Sequence, residues 1–390
     1  FSGLMKAVLG VTALVLPPRL LFSLFCSGSP DPDSLATVIF TSGSTGEPKG
    51  VMLSHSNILS NIEGFSQVFN LTPRDSVLGV LPFFHAFGLT GTIWFPLVSG
   101  VGVRYHANPA DAATVGKMAS RYGSTILIST PTFYSSYTKK CSKEEFSTVR
   151  YAITGAEKLK GKVAEEFEAK FGVPLLEGYG CTELSPVVSV NVPDVEHENQ
   201  RQKGFVRGTV GHAIPGVAVK VVDPETWTDA GAGDEGLLLV KGPGMMLGYL
   251  NEPDLTRMVI KDGWYATGDI ASIGSDGFIR IIDRLARFSK VAGEMVPHGK
   301  IEDAVSEAFG CECAVVSLDD AARGERLLLF CAGLDGTAAG VREALLGAGL
   351  PRLWIPKRED IHLIDELPRT AAGKVDFRAL KRLATEFTGV

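Results

Sequence analysis

The sequence predicts an α/β protein with a large layered part followed by a small α+β part, and three changes of texture support this. From about Thr37 to Gly216, short apolar runs (VLGVLPFF, STILIST, RYAITGA) alternate with helical patterns such as KVAEEFEAKFG, as expected of a layered α/β domain. From Gly211 to Leu250 the pattern becomes VAVKVVD and GLLLVKG separated by turns, which reads as a β-rich subdomain. After Arg284, KIEDAVSEAF and VREALLGAG read as helices, and CAVVSL and LLLFCAGL as strands. These changes divide the chain into residues 1–284, with 211–284 as the β-rich part, and residues 285–390.

Composition limits the possibilities further. The chain has 390 residues, 45% hydrophobic and 21% charged, enough to bury a sizeable core and too apolar for general disorder. Its 44 glycines lack a collagen-like period and point to tight turns and close backbone approaches. The net charge of -6 gives no global basic field for nucleic acid, so an anionic ligand has to be held by a local site. Six scattered cysteines do not make a disulfide framework and suit a reducing compartment. Cys311 and Cys313 form a C-x-C, but the AVVSL that follows reads as a buried strand and no second ligand pair has zinc spacing.

The elements follow in order. Phe1 to Phe25 is strongly apolar, but Lys6, Pro17, Pro18 and Arg19 leave an unbroken apolar run only from Ala7 to Leu16, too short to span a bilayer. It reads as an amphipathic or buried helix of a domain whose front precedes Phe1. A membrane-contacting segment and a targeting signal are the alternatives. Ser27 to Ser34 is a polar linker, and Thr37 to Phe40 reads as a buried strand. The helix from Leu159 to Phe171 places Val163, Phe167 and Phe171 on one face and is stopped by Gly172.

The most informative segment is Thr41 to Gly50, TSGSTGEPKG, directly after a predicted strand. Thr41, Ser42, Ser44 and Thr45 supply hydroxyls, Gly43 and Gly46 let the backbone approach an anion, and Lys49 adds charge, so the loop suits phosphate. It fails the Walker pattern because Pro48 stands where the second glycine should be.

With LPFFHAFG (81–88), ITGAEKL (153–159), EGYGCTE (177–183), YATGD (265–269), IDRLARFSKVAGE (282–294) and PRTAAGK (368–374) in that order, the chain resembles the adenylate-forming, AMP-binding superfamily. Within it, GYGCTELSPVVSVNVP, FSKVAGEMVPHGKIE and GKVDFRAL are most similar to acyl-acyl-carrier-protein synthetases that accompany a lysophospholipid acyltransferase; long-chain acyl-CoA synthetases are the nearer alternative. The resemblance implies a large layered α/β adenylating domain, truncated at its front, with a β-rich subdomain and a small mobile α+β C-terminal domain. It implies a fatty acid ligase using ATP and Mg²⁺, with acyl carrier protein or coenzyme A as thiol acceptor, and it allows a lysophospholipid served by an upstream acyltransferase as a further partner. A cytoplasmic enzyme, free or associated with the inner membrane face, is the corresponding location. The alternative of another class is a non-catalytic nucleotide-binding fragment.

Residue by residue, the resemblance implies that Lys374 reaches the α-phosphate and the substrate carboxylate, Thr182 contacts phosphate, and Glu183 holds magnesium. Gly155, Ala156 and Glu157 lie along the adenine, with Gly178 and Tyr179 on its other side. Asp269 accepts the ribose hydroxyls and Arg284 contacts ribose and phosphates. His85, which alone reads as a core histidine, becomes a gate to the acyl site, with Phe83, Phe84, Phe87 and Phe133 as candidate walls. Gly293 and Glu294 form a tunnel for a phosphopantetheine thiol after the C-terminal domain rotates. Two departures concern the hinge: Ala286 replaces a usually charged residue, so its interactions with neighbouring charges are expected to be missing, and Asp283 replaces glycine before Arg284.

Overall fold

The computed structural model describes residues 3–25, 31–42, 48–197, 200–320, 322–369 and 375–388. The α/β expectation holds. The central sheet has seven strands in the order His212–Ala213, Val187–Val190, Leu175–Gly180, Tyr151–Thr154, Ile126–Ser129, Ser76–Gly79 and Gly102–Tyr105. The last five run parallel, and the first two are antiparallel. Every residue of Ile126–Ser129 and Tyr151–Thr154 is buried, as sheet strands covered on both faces must be. One face packs against a core that includes Ile58, Phe65 and Phe95; the other packs against Tyr134, Tyr137, Phe146 and Phe167.

Helix Gly161–Phe171 begins two residues later than expected and stops at Gly172, whose φ of +75° is the left-handed cap that glycine accommodates. Phe167 and Phe171 are buried on its inner face.

This topology explains where the motifs lie. Parallel strands deliver their following loops to one edge of the sheet. LPFFHAFG follows strand Ser76–Gly79, Gly155 to Glu157 follow Tyr151–Thr154, and Glu177 to Tyr179 end Leu175–Gly180.

Two further sheets complete the path. Ala218–Val222, Gly236–Lys241, Trp264–Ile273 and Ile279–Arg284 form an antiparallel layer with the short strand Ile260–Lys261. Beyond Arg284, strands Phe288–Val291, Glu294–Pro297, Glu312–Asp320, Gly324–Ala332 and Ile361–Ile364 form a five-stranded sheet, flanked by helices His298–Phe309, Ala338–Gly347 and Phe377–Thr388. Cys313 lies in the predicted strand there, and burial pushes its thiol up to about 12.

Three local expectations are corrected. The apolar front is helical, over Gly3–Val15 and Pro18–Phe25, but Val11, Leu14, Val15 and Leu24 are exposed, so a buried helix is not what forms. Periodicity reports a helix, whereas burial needs a partner surface. Among the described residues no helix is long and apolar enough to cross a membrane. The strand after the linker runs Leu35–Ser42 and is only partly buried: Ile39 points inward and Phe40 is exposed. It pairs with Pro48–Ser54 in a three-stranded sheet separate from the central one. His85 is exposed beside the exposed Phe84, which rules out the core reading.

Candidate active site

Three chain segments meet around Asp269. Strand Trp264–Ile273 pairs with Ile279–Arg284 so that Asp269 lies opposite Arg284. Arg284 Nε is 2.8 Å from the Asp269 carboxylate, and its Nη1 donates to the Thr267 carbonyl at 3.3 Å. Tyr179, at the end of its strand, donates its hydroxyl to the other Asp269 oxygen. The Asp269 N–H bonds the Thr267 hydroxyl at 3.1 Å.

Asp269 is only 3% exposed. Burial raises its pKa above the ordinary aspartate value, and Arg284 and the Tyr179 hydroxyl oppose that rise. Burial and the neighbouring Asp269 charge push Tyr179 well up, so it stays a neutral donor.

A second group adjoins the first. Glu183 sits in the short turn Thr182–Leu184, and Tyr249 donates its hydroxyl to Glu183 Oε1 at 2.8 Å. Tyr249 is held there because Gly248–Tyr249 pairs with strand Pro48–Ser54. That pairing also places Lys49 Nζ 5.5 Å from the centre of the Tyr249 ring. The stem of the glycine-rich loop is thereby joined to the GYGCTE motif. Cys181 lies between the two groups; burial raises its thiol first, and the Glu183 and Asp269 charges raise it further.

Close backbone packing accounts for the glycines here. A Cβ on Gly180 would lie 1.8 Å from the Pro186 carbonyl oxygen, and one on Gly155 would lie 3.1 Å from the Gly178 oxygen and 3.7 Å from the Phe87 ring. Ala156 has φ +68°, a left-handed conformation uncommon for alanine. Glu157 turns toward helix Pro131–Lys140, where it accepts the Thr132 hydroxyl at 2.6 Å and the Thr132 N–H at 3.3 Å.

Behind Gly155 lies an enclosed apolar cavity of about 20 Å³, lined by Phe65, Phe87, Gly91, Phe95, Ile128 and Ile153. Of the four candidate wall residues, only Phe87 lines it. Phe83 packs edge-on against Tyr105, Phe84 is exposed, and Phe133 is shared by the two main cores.

Gly293 and Glu294 lie in the turn between Phe288–Val291 and Glu294–Pro297, exposed on the sheet that follows Arg284. Thr41 and Ser42 end their strand in register with Lys49 and Pro48. Gly43, Ser44, Thr45, Gly46 and Lys374 lie outside the described residues.

The sequence reading missed Tyr249, Thr267 and Thr132. Tyr249 and Thr132 have partners 66 and 25 residues away, so only the fold brings them in, whereas Thr267 stands inside the YATGD motif itself and bonds the Asp269 N–H two residues on. Ala286 makes no charged contact of its own, but charged residues stand on either side of it. Ala286 lies in the turn Leu285–Arg287, flanked by Asp283 and Arg287. Asp283 accepts the Arg284 N–H at 2.8 Å and the Gly299 N–H of helix His298–Phe309 at 3.0 Å. Arg287 pairs with both Asp283 and Glu302.

Comparison with known proteins agrees with this arrangement. Residues 19–250 match the family described as AMP-binding enzyme. The chain is 34% identical over 354 residues to a long-chain-fatty-acid–CoA ligase of Yersinia pestis, covering 88% of this chain and 60% of that protein. It is 31% identical over 364 residues to a long-chain-fatty-acid–CoA ligase of Bacillus subtilis, covering 91% of this chain and 63% of that one. The chain thus spans about 60% of the length of these curated relatives. The crystal structure of ATP-bound MatB from Rhodopseudomonas palustris superposes with a TM-score of 0.81 at 31% identity, covering 92% of this chain and 70% of that one. With the family match across more than half its length and the superposition on MatB, the chain belongs to the AMP-binding enzyme family and has the fold of adenylate-forming enzymes.

Proposed function

We propose that the chain is the adenylating part of an ATP-dependent fatty acid ligase, which forms an acyl-adenylate with release of pyrophosphate and then an acyl thioester with release of AMP. The observation that carries this reading is the buried Asp269 carboxylate, held between Tyr179 and Arg284 and adjoined by the Glu183–Tyr249–Lys49 group. An ionised carboxylate has two acceptor oxygens and suits the two ribose hydroxyls, which would exchange with the Tyr179 hydroxyl. Tyr179 then presents its ring to the adenine, opposite the backbone of Gly155, Ala156 and Glu157.

Attack of a carboxylate on the α-phosphorus brings two anions together, so the protein's contribution is positioning and cationic charge. Arg284 and Lys49 supply charge on the described side, and Lys374 is assigned to the α-phosphate and the attacking carboxylate. Thr182 is assigned to the phosphates, and His85 to the entrance of the acyl site. Glu183 would hold magnesium, which favours one or two carboxylates together with phosphates and waters. The Tyr249 hydrogen bond orients that carboxylate as an outer partner does. Bound there, magnesium would neutralise charge on the phosphates.

Residues 1–284 are read as the adenylating domain and 285–390 as a mobile C-terminal domain, with Gly293 and Glu294 guiding the thiol. Coenzyme A is the acceptor that the names of the relatives support. Acyl carrier protein is the second reading and rests on motif similarity; a lysophospholipid as final acyl acceptor extends it. Parallel assays with the two thiols under fatty acid and ATP decide between them. ATP binding without fatty-acid-dependent turnover in the full-length protein would instead favour a non-catalytic nucleotide-binding role.

A further inference from the structure

The turn assigned to the thiol passage is conformationally demanding. Ala292 and Gly293 have φ of +49° and +88°, two successive left-handed residues closing a two-residue hairpin. Glycine adopts this conformation freely and alanine does not. The hairpin meets the rest of its sheet through one register pair, Val291 with Gly324, and through the Ala292 N–H, which donates to the Arg323 carbonyl at 2.7 Å.

Val291 and Val296 bury their side chains in the core of this sheet, Lys290 pairs with Glu225, and a polar group beneath the hairpin adds a further restraint. The half-buried Glu325 accepts the Lys290 N–H on one carboxylate oxygen and the Ser317 hydroxyl at 2.6 Å on the other. Ser289, fully buried, contacts His298 Nε2 at 2.7 Å, and its hydroxyl lies close enough to Glu325 to favour the ionised carboxylate. His298 opens helix His298–Phe309 and is 4% exposed. Burial, with Arg287 nearby, lowers His298 to about 4, so it is a neutral partner at physiological pH. Burial alone would raise Glu325, but the bonds from Ser317 and Lys290 and the nearby Ser289 hydroxyl outweigh it and hold the carboxylate below its ordinary value.

This chain of contacts joins the hairpin, the following helix and the adjacent strand; it includes neither Asp269 nor Glu183, and the helix reaches Arg284 through Asp283, which accepts the Gly299 and Arg284 N–H groups. We infer that Glu325, together with the Ser289–His298 pair, positions the turn bearing Gly293 and Glu294, and so acts in thioester formation and not in adenylation. The inference rests on the ligase reading, which assigns that turn to the thiol.

The test uses the full chain and measures the half-reactions separately: fatty-acid-dependent pyrophosphate exchange, and thioester formation from supplied acyl-adenylate and thiol. Glu325→Ala is expected to leave exchange within about twofold of wild type. It should lower thioester formation roughly tenfold to a hundredfold, with a raised KM for the thiol, as displacement of a positioning group does. Glu325→Gln should restore most of that loss. Its carbonyl oxygen can take the Lys290 N–H while its amide donates to a reoriented Ser317 hydroxyl. Ala292→Val strains the turn without removing a core side chain, and is expected to give the same selective loss even if Glu325→Ala fails to fold. Equal losses in both half-reactions, or unchanged thioester formation in Ala292→Val, would overturn the positioning role. If the wild-type chain performs exchange but no thioester formation, the two-step ligase reading fails, and this role with it.

Discussion

Replacing Arg284 by glutamine separates the two forces on Asp269. Burial favours the neutral carboxyl, and the guanidinium 2.8 Å away favours the ionised one. The Asp269 side chain is 4% exposed, but that of Arg284 is 59% exposed, so solvent screens one half of the pair. The energetic consequence therefore lies between the 0.2–1 kcal/mol of exposed pairs and the 3–5 kcal/mol of breaking a fully buried one, at about 1–2 kcal/mol. That corresponds to roughly tenfold in ATP affinity, with the titration of Asp269 moved further upward.

The sign follows from the raised carboxyl. Because the folded value lies above the unfolded one, the contribution of Asp269 to stability is fully present below the unfolded pKa and is lost as pH rises through the folded pKa. Ribose binding runs the other way, since the ionised form is the two-fold acceptor, so ATP affinity falls as pH drops through the same value. Removing Arg284, which opposes the effect of burial, should shift that acid limb upward. The assay is KM for ATP in pyrophosphate exchange from about pH 5 to 9 at saturating acid substrate, for wild type and Arg284→Gln. The nucleotide's own titration is common to both proteins and cancels in their difference. An acid limb that does not move, or an ATP affinity unchanged within about twofold, refutes the assignment.

Three other predictions follow from contacts already described. Tyr249→Phe removes the hydroxyl that orients Glu183, and should raise the magnesium concentration needed for half-maximal exchange by about tenfold without lowering the thermal midpoint by more than a few degrees. Asp283→Gly removes the acceptor of the Gly299 N–H, costs about 1 kcal/mol at the start of that helix, and should speed amide exchange over residues 283–287. Unchanged protection there would show that the hinge is held by other contacts. Gly180→Ala places a methyl within 1.8 Å of the Pro186 carbonyl and should lower stability by about 3 kcal/mol or more in chemical denaturation; a loss under about 1 kcal/mol would mean that the backbone there yields easily.

What could be read from the sequence was what is local. Alternating apolar and helical patterns identified the layered sheet because strand and helix periods are set by short-range geometry. Motif order carried the candidate site because Glu177 to Glu183, at the end of one strand, and Tyr265 to Asp269, within another, are short contiguous stretches. The exposure of Leu14 and Phe40 was not legible, because burial depends on which surface lies opposite. Tyr249 was hidden because its bond to Glu183 spans 66 residues and arises from a two-residue strand pairing. Asp283 looked like an unsuitable substitution at a hinge, and became a link across it only once helix His298–Phe309 was seen to start beside it. Ser289, His298 and Glu325 were likewise unremarkable as letters, and form one polar group only because a hairpin, a helix and a strand converge.

The most direct measurement of the central proposal is fatty-acid-dependent exchange of labelled pyrophosphate into ATP by the full-length protein, compared with Lys374→Ala. The result expected is exchange that requires fatty acid and magnesium and falls by at least about a hundredfold in the variant, while thioester formation from supplied acyl-adenylate falls far less. Exchange that is absent in the wild type, or equal losses of both half-reactions in Lys374→Ala, would contradict it.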